Sequence, residues 1–242
     1  MKSRRSYEIV KYVQEHKFCS LPELMNHFQV SVATIYRDIS ELVAHRQLRK
    51  VHGGVAYIES NRENAAIHYH DRLVSSRVNK HIIAEMALAE INDGDSIFLD
   101  SSTTVYYLSK LIQQSSLTSL TIITNSLLII QEFSLFPVEY SLISLGGNYN
   151  IQLNSFLGSD TMRQLHNVPF TKAFISAFGI SPLGLFTRYE QHGEFLQQVI
   201  ELADANYLLL DGDKFDRTGA VRIAPLRSIT KIISDAELPG YV

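Results

Sequence analysis

One cysteine, Cys19, stands in the whole chain. That excludes an internal disulfide and a cysteine metal cluster, and Cys19 is expected to pack as a small apolar residue. Long apolar runs are missing as well. The longest groups, such as Leu127–Ile130 and Leu208–Leu210, fall far short of a membrane span. The basic start, with Lys2, Arg4 and Arg5, has no apolar signal core behind it, because Glu8, Lys11 and Glu15 interrupt the stretch. A cytoplasmic address is expected. His68 and His70 stand two apart with no further ligand nearby, so they read as solvated surface residues. No metal and no cofactor is expected.

A strong excess of one charge is also absent: the formal net charge is −3 over 242 residues. The distribution is uneven. Residues 1–57 carry nine Lys/Arg against five Asp/Glu, and the remainder carries thirteen against twenty. A basic head on an acidic body suits a chain whose head alone meets a polyanion. The length allows two modest domains.

In the head, Ile9, Val10 and Val13 give a helix over about residues 5–16 one apolar stripe. Ser20 and Glu23 form a Ser-x-x-Glu capping box, and Leu21, Leu24, Met25 and Phe28 repeat as one buried face. Ser31 is a good cap for a third helix with Val32, Ile35, Ile39 and Leu42 inward. Only Gln29 and Val30 separate the second helix from that cap, which predicts a helix-turn-helix. The outer face of the third helix then holds Ser31, Ala33, Thr34, Tyr36, Arg37 and Ser40, hydrogen-bonding groups suited to the major groove. After it, short strands flank Gly53-Gly54, with Arg49 and Lys50 on the first. With His52 and Gly53 they read as a β-wing lying along phosphates. Residues 1–57 are thus expected to be a winged helix-turn-helix that binds double-stranded operator DNA. Polar residues 58–78 are expected to be a linker with some helix.

Residues 79–242 alternate helices with short apolar strands, near 96–99, 120–124, 140–145, 173–177, 206–210 and 229–234. That predicts an α/β domain with a largely parallel sheet, whose ligands bind beyond the carboxyl ends of the strands. One strand ends in Asp100-Ser101-Ser102-Thr103-Thr104 at a helix start, where backbone N–H groups and hydroxyls can cradle a phosphate. Others end in Thr124-Asn125-Ser126, in Gly146-Gly147, and in Asp211-Gly212-Asp213-Lys214. Lys214 can supply a cation, Asp100 and Asn125 can hold sugar hydroxyls, and the glycines allow close approach. Each feature also has a plain reading as a cap or a turn.

The stretch Ser31-Val32-Ala33-Thr34-Ile35-Tyr36-Arg37-Asp38-Ile39, followed by Leu48-Arg49-Lys50-Val51-His52-Gly53-Gly54, resembles the DNA-binding domain of DeoR-type sugar-operon regulators. Tyr36 stands where that family usually has an arginine, so the two-pronged guanine contact is lost there. The resemblance continues through Asp-Ser-x-Thr-Thr, Thr-Asn-Ser-Leu, Leu-Gly-Gly and Asp-x-x-Lys-Phe, covering nearly all of residues 1–235. It implies an effector domain similar in fold to ribose-5-phosphate isomerase and glucosamine-6-phosphate deaminase. It further implies that Asp100, Ser101, Ser102, Thr103, Thr104, Asn125, Gly146, Gly147 and Lys214 line a phosphosugar site. Ser102 replaces the usual glycine, Asp213 the usual serine, and Leu196 stands where a lysine is common. The chain also stops short of a last helix and strand often present. Asp100-Ser101-Ser102-Thr103 and Arg217-x-Gly219-x-x-Arg222-Ile223 are most similar to fucose-operon regulators, which implies a deoxysugar phosphate.

The expected function is a non-enzymatic transcriptional regulator of a carbohydrate-utilisation operon, its DNA affinity controlled by a phosphorylated sugar. A homo-oligomer, dimer or tetramer, is expected because one winged module offers limited contact area. Two rival readings stand. One is a phosphosugar isomerase or deaminase carrying a DNA-binding head, for which no acid–base pair is evident. The other is a DNA-binding module whose body serves oligomerisation alone.

Overall fold

The computed structural model describes residues 2–44, 47–51, 53–57 and 69–242, with side chains from Arg5 onward and excepting that of Ala44. His52 and His68 lie outside the described residues. The chain divides into two compact units, Met1–Asn64 and Ala65–Val242.

The first unit contains α1 (Lys2–His16), β1 (Phe18–Ser20), α2 (Leu21–Phe28), α3 (Val32–Ala44), β2 (Leu48–Val51) and β3 (Gly54–Tyr57). The capping box forms in full: Ser20 Oγ accepts from Glu23 N, and Ser20 N donates to Glu23 Oε2, each at 3.3 Å. Gln29 turns left-handed to end α2, and Ser31 Oγ accepts from Thr34 N to start α3. Ile9, Val13, Cys19, Leu24, Ile35, Ile39, Leu42, Leu48 and Val55 make the core. Cys19 is buried and free. Val32, expected inward on α3, is instead 51% exposed. It is the first residue of the helix and lies a full turn before the face set by Ile35 and Ile39. Asp38 takes an inward place instead, accepting from Arg5 Nε at 2.6 Å. A third strand not read from sequence, β1, completes an antiparallel sheet in the order β1-β3-β2. Three residues are too few to show an alternation.

The second unit begins with a helical turn over residues 69–74 and α4 (Arg77–Leu88). Residues 69–78, read as linker, therefore belong to this unit. A six-stranded sheet follows, built from β4 (Ser96–Leu99), β5 (Thr121–Thr124), β6 (Ser141–Ser144), β9 (Lys172–Ile175), β12 (Ala205–Leu210) and β14 (Lys231–Ser234). Its order is β14-β12-β9-β4-β5-β6, and every pair is parallel. The order in which strands are added therefore reverses between β4 and β9, the switch point where open α/β sheets leave a crevice. Side chains alternate between two cores. Ile97, Leu99, Phe174, Tyr207 and Leu209 face α4 and α5 (Thr103–Gln113). Phe98, Ala173, Ile175, Leu208 and Leu210 face α8 (Glu190–Leu202). Burial on both faces is why these strands are short, nearly continuous apolar runs.

Three elements beyond that sheet were not read from sequence. A hairpin pairs β7 (Asn148–Asn150) with β8 (Ser155–Leu157). The short helix α7 spans Ser159–Leu165. A small antiparallel sheet joins β10 (Gly179–Ser181), β11 (Gly184–Thr187) and β13 (Val221–Ala224). The remaining helix of the α/β layer is α6 (Leu127–Glu132). Among the described residues, no helix is long and apolar enough to cross a membrane.

Candidate functional site

On the first unit, the outer face of α3 is open. Ser31, Ala33, Tyr36, Arg37 and Ser40 are exposed and Thr34 is half-buried. Arg49 and Lys50 are exposed on β2, paired in register with Ala56 and Val55. Gly53 sits in the turn between the wing strands. Helix face and wing therefore present hydroxyls and three cations, Arg37, Arg49 and Lys50, the chemistry that meets phosphates and base edges.

The second unit holds a cavity of about 330 Å³ at the switch point, within the range of small-molecule sites. Its floor comes from the ends of three adjacent strands. After β4, Ser101, Ser102 and Thr103 line it; after β9, Ser176, Ala177 and Phe178; after β12, Lys214 and Arg217. Arg72, Leu153, Thr187, Arg188, Tyr189 and His192 complete the lining.

Ser102 caps α5, its Oγ accepting from Val105 N at 3.2 Å. The first intrahelical donor is Tyr106 N, bonded to Ser102 O. The N–H groups of Thr103 and Thr104 are thus left without a helical acceptor, at the positive end of the dipole. Lys214 Nζ lies 3.3 Å from Ser176 Oγ and 3.4 Å from Asp211 Oδ2. Arg217 reaches the cavity because its loop presses against Gly179. A Cβ there would meet Arg217 O at 2.5 Å, so only glycine admits this approach. The guanidinium carbons of Arg188 and Arg217 lie 3.9 and 4.6 Å from the Phe178 ring centroid.

Behind the floor, Asp100 is buried and accepts from Ser102 N and Ser176 N, both at 2.8 Å. Burial raises its carboxyl to about 6, although those bonds and Lys214 favour the ionised form. His192 bonds Thr187 Oγ1 at 3.1 Å. Burial, followed by the charge on Arg72, lowers its imidazole to about 4, so it is neutral at physiological pH.

The sequence-derived effector residues thus divide. Ser101, Ser102, Thr103 and Lys214 meet at the cavity, while Asp100 and Thr104 sit buried beneath it. Asn125, Gly146 and Gly147 do not line it. Asn125 Nδ2 donates to Ser155 Oγ and Phe156 O. Gly146 N donates to Gln164 Oε1, and its carbonyl accepts from Thr161 Oγ1. Gly147, at φ +141°, packs against Thr161. These three secure the β7–β8 hairpin and α7, because β5 and β6 run outward from the switch point. Arg72, Phe178, Arg188, Tyr189 and His192 were missed. Arg217 was noticed only as part of a motif. The strand over 173–177 was read, and its carboxyl end was the available signal.

A profile described as "DeoR-like helix-turn-helix domain" matches residues 5–61, and one described as "DeoR C terminal sensor domain" matches residues 75–236. The HTH-type transcriptional regulator IolR of Bacillus subtilis is 33% identical, over 98% of this chain and 93% of its own length. The L-fucose operon activator of Escherichia coli is 30% identical, over 97% and 96%. The lactose phosphotransferase system repressor of Streptococcus mutans is 29% identical, over 98% and 93%. Among solved structures, ribose 5 phosphate isomerase A from Neisseria gonorrhoeae superposes with a TM-score of 0.42 at 12% identity, over 56% of this chain and 52% of that one. The eIF2B delta chain of Chaetomium thermophilum gives 0.45 at 18%, over 69% and 60%.

Proposed function

The chain belongs to the DeoR family of transcriptional regulators, and on that premise we propose that it controls a carbohydrate-utilisation operon, its affinity for operator DNA set by a phosphorylated sugar in the switch-point cavity. The observation that carries this reading is a free helix N-terminus, a lysine and three arginines converging on one crevice at the ends of β4, β9 and β12. The phosphate sits on the N–H groups of Thr103 and Thr104 with the Ser101 and Ser102 hydroxyls beside it, and Lys214 neutralises part of its charge. The Leu153, Phe178 and Tyr189 side chains offer apolar surface to the sugar carbons, and neutral His192 offers a ring nitrogen to a hydroxyl. Asp100 is a positioning residue, holding the loop from below. The relatives named above are regulators, and the enzyme reading is set aside.

The α3 face and the β2–β3 wing bind the operator, with Arg37 toward the bases and Arg49 and Lys50 toward phosphates. The working form is a homo-oligomer on paired half-sites. Titration calorimetry with sugar phosphates and the matching free sugars tests the effector reading. Binding is expected for the phosphorylated form and is expected to weaken in Lys214→Ala. Equal affinity with and without the phosphate, or wild-type affinity in Lys214→Ala, overturns it.

A further inference from the structure

Among the described residues, the cavity lining holds four cations, Arg72, Arg188, Lys214 and Arg217, and no carboxylate. Asp211 is engaged with Lys214, and Asp100 lies beneath the floor. Guanidinium and ammonium groups can only donate hydrogen bonds. A ligand must therefore bring acceptors or negative charge to each of them. One phosphate answers the helix start and Lys214. It leaves the arginines.

Arg72 is partly committed: its guanidinium donates to Gln152 O at 2.7 Å and lies 5.3 Å from the Tyr69 ring centroid. Arg217 gives one N–H to Asp213 O at 3.2 Å. Arg188 has no hydrogen-bond acceptor among the described residues, and neither it nor Arg217 has a carboxylate within ion-pair distance there. Both guanidiniums share the Phe178 ring. Burial first, and then the nearby charge of Arg217, hold Arg188 below its ordinary value. Two planar forks over one aromatic ring, neither paired with a carboxylate among the described residues, are suited to a carboxylate or phosphate held by paired N–H bonds.

Resting on the effector reading above, we propose that the ligand is doubly anionic: a sugar derivative with its phosphate on the α5 start and Lys214, and a second anionic group between Arg188 and Arg217. A carboxylate and a second phosphate supply the same chemistry. A sugar with a single phosphate fills half of the site.

The test is calorimetry on the full chain with matched probes. Five- and six-carbon sugar monophosphates are each compared with the corresponding aldonic acid phosphate and with the corresponding bisphosphate. The doubly anionic partner is expected to bind at least about tenfold more tightly, the increment of one added charge-assisted pair. The acid arm and the bisphosphate arm show which anion fits. In the Arg188→Gln/Arg217→Gln variant that ratio is expected to fall toward one, whereas Lys214→Ala weakens both members of each pair. Equal affinity for the members of every pair in the wild type overturns the second anion and leaves the phosphosugar reading standing. A ratio unchanged in the double variant also overturns it. Failure of every phosphorylated probe to bind overturns both.

Discussion

Asp100 Oδ2 accepts the backbone N–H of Ser176 at 2.8 Å, across the point where strand order reverses between β4 and β9. Its other oxygen accepts from Ser102 N, so one buried carboxylate ties the loop before α5 to the neighbouring strand end. Asp100→Asn presents one acceptor and one donor to two N–H groups. The expected outcome is a lower melting temperature together with weaker sugar phosphate binding; wild-type values for both would refute this positioning role. The pH dependence has a definite sign. The folded-state pKa is raised from 3.8 to about 6, so the contribution to stability is full below the unfolded value and is lost as pH rises through about 6. The stability difference between wild type and Asp100→Asn should therefore shrink by up to about 3 kcal/mol from pH 3 to pH 7. Denaturant melts of the pair across that range measure it.

Lys80 is buried at the start of α4, and its ammonium donates to Arg72 O and to Ser75 O. Burial holds it down to about 8. It closes the carbonyl end of the 69–74 turn, and that turn carries Arg72 to the cavity. Lys80→Met keeps the aliphatic stem and strips both donors. Leaving the carbonyls without this partner should cost about 1–3 kcal/mol, read by denaturant unfolding. Sugar phosphate affinity should fall as well, although Lys80 lines no part of the cavity. A stability equal to wild type would remove Lys80 from this role.

Arg49 and Lys50 are consecutive on β2 and both exposed. Replacing both by alanine should weaken binding to operator and to unrelated DNA alike. The slope of log affinity against log salt should flatten by about two, one for each lost phosphate contact. Arg37→Ala should instead cost about 1–3 kcal/mol on the operator and relax the preference at one base pair. If the double variant discriminates between sequences and Arg37→Ala does not, the assignment of wing and helix is reversed.

Local signals carried most of the fold. The Ser20–Glu23 capping box, the Ile35–Ile39–Leu42 stripe and the apolar runs at 96–99, 173–177 and 206–210 each encode structure within a few residues, and each element is present. The elements that escaped are those whose reason lies far along the chain. Strand β1 exists because Cys19 pairs with Val55, and β11 because Phe186 meets Arg222. The site followed the same rule. Ser101–Thr103 and Lys214 announce themselves as a helix start and a loop cation. Arg188, Arg217 and Phe178 converge only because a small antiparallel sheet folds back over the switch point. Asn125 and Gly146 carry the same local character as the cavity residues. The sheet order that sends β5 and β6 away from the crevice is not written in either.

Arg72 is the cavity residue nearest in sequence to the DNA-binding unit, on the first described stretch after it. Effector control requires the ligand to bind the DNA-free and DNA-bound forms with different affinity, and that difference has to be carried by groups whose arrangement differs between them. A ligand anion drawing on Arg72 acts on the helical turn over residues 69–74, the first described segment of the second unit. The floor residues Ser101–Thr103 follow directly on β4, a strand buried on both faces, and are held by the Asp100 and Ser102 hydrogen bonds. Arg72→Ala is therefore expected to lower sugar phosphate affinity modestly and to lose most of the control. Operator titrations with and without saturating ligand should give an affinity ratio near one, against a ratio of about 5–150 for a coupling of ordinary size. Saturation has to be verified by calorimetry, so that weak binding is not mistaken for lost coupling. A variant that keeps the wild-type ratio would place the coupling elsewhere in the second unit.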